Sequence, residues 1–265
     1  MIGAVGDDVC GAGRPPTGRG KGMTAALLDL ALPLECAGCG ARGSAWCAEC
    51  DGALRGAPVP VRPRVPPGVP VWSAGTFVGA RRGAVIAVKE QGRRDAVPPL
   101  AGAVRRLVLQ LREAGEIDPP ELSPVILVPA PSRASAARRR GGDPVWRIAR
   151  RAARTLASSA PPGTPPDSAA RMLRLRAGVR DSVGLGAGQR QRNLDGRVGV
   201  RRGVAARAAG PAGEGPHPRT GGDVRLPTVV LVDDVITTGA TVSESVRALA
   251  GAGITVRAAL TLGHA

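Results

Sequence analysis

Apolar positions along this chain fall into short runs and helical stripes separated by turn residues. Residues 1–22 show no periodicity and are expected to form a disordered extension. The pattern begins at Met23, itself a candidate start residue, where Leu27, Leu28, Leu30 and Leu32 predict a short helix ending at Pro33. Residues 71–78 are strand-like, and 84–89 fit a short helix or a strand equally. A longer helix is predicted over 98–111, with Val104, Leu107, Val108 and Leu111 on one side. The run 125–128 reads as a buried strand. Asp143 and Pro144 then open a helix, Asp as cap and Pro at the first helical position, followed by Val145, Ile148, Ala149, Ala152 and Leu156. A third strand is placed at 172–175. Val229 to Val232 form an apolar run suited to a parallel sheet, followed by helical spacing at Val242, Val246 and Leu249 and a last strand at 255–260.

Strands alternating with helices predict an α/β fold, a parallel sheet with right-handed crossovers and a ligand site beyond the strand C-termini. The organisation read from the pattern is an extension (1–22), a short helix with a cysteine-bearing module (23–55), a linker (56–70) and the α/β domain (71–265). Six prolines make 56–70 a stiff connector. Residues 178–222 are rich in Gly and Arg and far exceed an ordinary loop, so a mobile lid is expected there.

The most informative junction is Val232-Asp233-Asp234-Val235-Ile236-Thr237-Thr238-Gly239-Ala240-Thr241. Strand, acid pair, hydroxyl-and-glycine turn and helix start together suit a ligand with a sugar and a phosphate. Free N–H groups at the helix start and the helix dipole favour the phosphate, and Gly239 lets the backbone approach closely. Threonine hydroxyls add donors. Asp233 and Asp234 suit ribose hydroxyls or a Mg²⁺ ion carried by the ligand. Helix capping alone would need one Ser, Thr or Asp, not two adjacent acids and three threonines. No Walker-type or dinucleotide-binding glycine motif is present.

Cys36, Cys39, Cys47 and Cys50 form two Cys-x-x-Cys knuckles separated by seven residues, a spacing suited to one structural Zn²⁺ held by four thiolates. Disulfides are the competing reading, which a reducing compartment disfavours. Composition then narrows the partners. The 265-residue chain carries a net charge of +16, three Trp, one Phe and no Tyr. Such charge points to a polyanion, yet the scarcity of rings argues against a stacking platform for single strands. The basic side chains are almost all arginine in a chain crowded with Ala, Gly and Pro, which is equally the mark of a coding bias. Lysine stands only at Lys21 and Lys89, which singles out Lys89 as a compact point charge. No apolar run approaches a membrane span and no secretory leader is visible, so a cytoplasmic location is expected.

The acid pair with its Thr-Thr-Gly-Ala-Thr turn resembles the 5-phosphoribosyl-1-pyrophosphate (PRPP) motif of type I phosphoribosyltransferases. The resemblance implies that Asp233 and Asp234 hold the ribose 2′- and 3′-hydroxyls and serve catalysis, while Thr237, Thr238, Gly239, Ala240 and Thr241 wrap the 5′-phosphate. It also implies a pyrophosphate-contacting loop after the first core strand, here Pro129 and Ala130 with Arg133 as charge partner, and Lys89 is counted with these as a PRPP-binding residue. Purine-salvage transferases carry an acid where this chain has Thr237, which disfavours that branch. The four-cysteine module, Lys89-Glu-Gln-Gly-Arg93, Pro129-Ala-Pro131, Arg140-Gly-Gly-Asp-Pro144 and Gln189-x-x-Arg192-Asn193, read together with the motif, resemble the competence-associated ComF family over about residues 24–262. That family commonly has Arg-Gly-Phe-Asn-Gln where this chain has Arg140-Gly-Gly-Asp-Pro144. The implied activity is Mg²⁺-dependent transfer of ribose 5-phosphate to an unidentified nitrogen nucleophile, with pyrophosphate released. The alternative is a non-catalytic PRPP- or nucleotide-sensing component of DNA uptake that contacts single- or double-stranded DNA or a helicase partner. A homodimer also stands open.

Overall fold

The computed structural model describes residues 34–132, 142–176, 196–201 and 226–265, and structural statements below concern these. The helix expected at 23–32, Arg133, and Gln189, Arg192 and Asn193 lie outside them, as does most of 178–222.

Eight strands and five helices follow in chain order: α1 (Ala48–Ala53), β1 (Val59–Pro60), β2 (Val71–Ser73), α2 (Gly79–Lys89), α3 (Val97–Glu113), β3 (Val125–Pro129), α4 (Pro144–Ala157), β4 (Ser168–Ala169), β5 (Leu173–Leu175), β6 (Val198–Val200), β7 (Thr228–Ile236), α5 (Ala240–Ala250) and β8 (Val256–His264). The main sheet has the order β1-β2-β8-β7-β3-β4. Every neighbouring pair is parallel except β1 with β2. The chain is therefore a mixed α/β protein with a mostly parallel sheet.

Period-two alternation explains how the sheet is covered. In β7, Val230 and Val232 join the core made with α2, α3 and α4, whereas Val229 and Leu231 join a second core with α5, β5 and β6. The strand is buried on both faces, as a near-continuous valine run requires. On α3, Leu100, Val104, Leu107, Val108 and Leu111 are all buried, one stripe of a 3.6-residue repeat. The α4 start matches its sequence signature: Asp143 accepts a hydrogen bond from the Trp146 N–H at 3.2 Å, with Pro144 opening the helix.

Several elements differ from the sequence expectation. Residues 84–89 are helical and belong to an α2 that begins at Gly79, so β2 is confined to Val71–Ser73. Residues 173–175 form a strand outside the main sheet, paired antiparallel with β6. The place beside β3 goes instead to the two-residue β4, and β6 lies inside the segment expected to be a lid. The proline-rich stretch contributes β1, and Val61 N–H donates to the Val71 carbonyl at 2.8 Å, so it folds back along β2.

At the strand N-termini, Arg112 at the end of α3 makes two hydrogen bonds to Asp167, at 2.8 and 3.0 Å. Asp167 also accepts from the Val125 N–H at 2.7 Å. This buried charge pair fastens α3, β3 and the approach to β4 at the end of the sheet away from the acid motif. No helix among the described residues is long and apolar enough to cross a membrane.

Candidate functional site

The connection from β3 through α4 moves outward to β4, while that from β7 through α5 moves the other way to β8. Helices α4 and α5 lie on opposite faces, as two crossovers of the same hand running in opposite directions demand. Strand order thus reverses between β3 and β7, and the crevice beyond their C-terminal ends is where open α/β sheets receive ligands.

The acid pair lies at that crevice. β3 follows β7 as far as Pro129 opposite Val232, where the Ala130 N–H donates to the Val232 carbonyl at 2.7 Å. Beyond that point β3 departs, while β7 continues against β8 alone to Ile236. Asp233 and Asp234 are the first residues past the departure. Their carboxylates accept from nearby backbone: the Asp234 N–H donates to Asp233 Oδ1 at 2.9 Å, and the Val235 N–H to Asp234 Oδ1 at 2.7 Å. Lys89 Nζ, at the last residue of α2, stands 2.8 Å from Asp234 Oδ2. The pair borders an apolar patch that includes Val85, Val88, Leu100, Val145 and Ile148, while the Lys89 side chain itself stays 35 % exposed, so solvent screens the attraction in part. Burial pushes the Asp233 carboxyl up to about 7; the adjacent Asp234 charge adds to this and Lys89 opposes it.

The β3 exit loop reaches the same crevice. Ser132 Oγ donates to Asp143 Oδ2 at 2.8 Å, so one carboxylate both caps α4 and holds the loop after Pro129 and Ala130. Asp143 also contributes to raising Asp233. Sequence reasoning identified Asp143 only as a cap. Its contact with Ser132 spans eleven residues with no local spacing signal.

The turn into α5 is shaped by a neighbour that the motif does not contain. Gly239 adopts φ 89°, the left-handed region, as the residue before the helix. A Cβ there would lie 2.6 Å from both Pro63 Cβ and the Val65 carbonyl oxygen. Val65 N–H donates to the Thr238 carbonyl at 2.9 Å. Thr237 is exposed, Thr238 and Thr241 are partly exposed, and Ala240 is buried, its N–H directed to Thr238 Oγ1 at 3.4 Å. The proline segment therefore rests on the Cα side of Gly239, which is the immediate reason for glycine at this position. A groove of about 590 Å³ lies within the proline hairpin itself, lined by Pro60, Pro63, Pro66 and Trp72 among others, and includes neither acid.

In the cysteine module, the sulfurs of Cys36, Cys39, Cys47 and Cys50 all lie within 4.8 Å of one another, and all four are free thiols. Cys39 and Cys47 are 3.8 Å apart, the edge of a tetrahedron with metal–sulfur bonds of about 2.3 Å. Backbone turns aim N–H groups at sulfur: Cys47 N donates to Cys36 Sγ at 3.3 Å and Cys50 N to Cys47 Sγ at 3.5 Å. Burial disfavours a Cys36 thiolate, but N–H groups of Cys39, Cys47 and Gly38 outweigh it and bring the thiol down to about 7. Burial and the neighbouring sulfurs push Cys50 strongly up, because four thiolates need a cation to share the site. The cluster could hold a structural zinc ion, and with four sulfur ligands it would keep no position for a substrate.

No protein-family model matches this chain, and no curated protein matches it.

Proposed function

We propose that this protein is a PRPP-binding, type I phosphoribosyltransferase-like member of the ComF family. On this reading it transfers ribose 5-phosphate to a nitrogen nucleophile and releases pyrophosphate. The observation that carries the reading is the acid pair at the β3–β7 reversal, running directly into a threonine-rich turn at the start of α5. Asp233 and Asp234 would accept hydrogen bonds from the ribose hydroxyls, and Thr237, Thr238 and Thr241 would donate to the 5′-phosphate beside the helix N-terminus. The loop from Pro129 and Ala130, with Arg133 following, would face the pyrophosphate.

Bond breaking at the anomeric carbon builds positive charge on the sugar and negative charge on the leaving group. A carboxylate of the acid pair would stabilise the first, while Lys89 and Arg133 would balance the second. The hard oxygen donors of Asp233 and Asp234 fit Mg²⁺, which when bound with PRPP would neutralise pyrophosphate oxygens. Displacement then forms a carbon–nitrogen bond as the carbon–oxygen bond to pyrophosphate breaks.

A second reading, a PRPP- or nucleotide-sensing component of DNA uptake, is favoured by the net charge of +16. Calorimetry with PRPP and Mg²⁺, followed by pyrophosphate release across nucleobases and ammonia, separates the two. Binding with release under one acceptor supports the transferase. Binding without release under any acceptor supports the sensor, and absence of binding removes both.

A further inference from the structure

Helix α2 is tied to the cysteine module at two points along its length and at a third just beyond its end. Near its first turn, the buried Arg81 donates to the Ala53 carbonyl at the end of α1 at 3.1 Å and to the Ala74 carbonyl at 2.7 Å. In its middle, Gly83 lies directly against the first cysteine knuckle, where an added Cβ would stand 1.9 Å from the Gly38 carbonyl oxygen. Gly38 is itself pinned, since a Cβ there would meet Cys50 Sγ at 2.7 Å. Helix and knuckle thus touch backbone to backbone with no side chain to absorb a shift. Just past the helix, Arg93 donates to the Glu35 carbonyl at 2.6 Å. The last residue of this helix is Lys89, 2.8 Å from Asp234.

We propose that the four-cysteine module is a positioning device for the acid pair: folded around its metal ion, it fixes α2 and thereby seats Lys89 on Asp234. Gly83, Arg81 and Arg93 are the positioning residues. The connection is a single helix, 11 residues long, with the module against its middle and the ion pair at its end. A rigid element of this length carries a displacement at Gly83 to Lys89 with little loss. When the module loses its metal, the knuckle no longer holds Gly38 against Gly83, α2 is released and Asp234 loses its fixed counter-charge. The inference does not rest on the identity of the ligand, because the ion pair is present whatever the crevice binds.

Lysine occurs only at Lys21 and Lys89, so acetylation resolved by peptide mass spectrometry reads Lys89 against an internal reference. In the zinc-loaded full chain, Lys89 is expected to react slowly. Removing zinc with a chelator should raise its rate about three- to fivefold, the protection an ion pair of this exposure gives, with Lys21 unchanged. The zinc-loaded variants Gly83→Ala, which forces helix and knuckle apart, and Arg93→Met should do the same. An unchanged Lys89 rate in metal-free protein whose circular dichroism is unaltered overturns the proposal. Should chelation unfold the chain, the two zinc-loaded variants decide, and a wild-type Lys89 rate in both overturns it.

Discussion

Asp233 and Asp234 are adjacent in the chain but differ in their surroundings. Asp234 has Lys89 beside it, whereas Asp233 is raised by burial and by the charge of its neighbour. Each Asp→Asn change should weaken PRPP binding about 10-fold or more by calorimetry, since an amide is a poor substitute for a charged acceptor. Protonation gives a second expectation. Below pH ~4 folded and unfolded states both hold the Asp233 proton. Between there and about 7 the unfolded chain releases it while the folded one keeps it. Stability should therefore fall as pH rises through that window and level off above it. Asp233→Asn should flatten this slope and raise stability at pH 8 by roughly 1–2 kcal/mol, read from urea unfolding at pH 5 and pH 8. At Gly239, valine must adopt a left-handed backbone and also displace Pro63 or Val65. We expect a loss of about 2–4 kcal/mol in stability. PRPP affinity should fall as well; unchanged affinity in the folded variant would remove the phosphate from this turn.

At the scale of elements, what could be read from the sequence was what local spacing encodes. β3, β7, α3 and α4 announce themselves by apolar period, and α4 also by Asp143 and Pro144. The acid pair and the four cysteines were legible because their members are neighbours in sequence. The remainder depends on distant partners. β4 is two residues of Ser and Ala, invisible beside the more apolar 172–175, which pair with β6 instead. Pro63 and Val65 carry no periodic signal, and their seat on the α5 turn is set by the pairing of Val61 with Val71 and of Val65 with Thr238. Gly83 reads as a weak point in a helix until Gly38 is found against it. The metal module is the element with the sharpest test. Zinc-loaded protein should contain about one Zn per chain by elemental analysis, four thiolates filling one tetrahedral site. Cys39→Ser should lower that content and the melting temperature together. Iron with visible absorbance, or a reducible disulfide in place of metal, would refute the assignment.

At the scale of the whole molecule, a charge of +16 invites nucleic acid, and arginines at 138–140 and across 176–206 are the sequence's candidates for contacting it. We expect weak, sequence-indifferent binding to a short duplex or single strand that falls steeply with salt, as released counterions require. Reversing three of those charges should reduce both affinity and salt slope. Absence of binding even at ~50 mM salt would make the arginines a matter of composition and solvation.

The sheet margins limit how copies of this chain can meet. One border strand, β1, is only Val59–Pro60, and Pro60 has no amide hydrogen to offer; the other, β4, is also two residues long. Neither margin presents the row of open donors and acceptors on which another strand could be templated. Among the described residues, the main sheet thus offers a second copy little to extend across its borders. The apolar strands β3, β7 and β8 each lie between two neighbours rather than at a border, so the sheet's most apolar segments are the ones already paired on both sides.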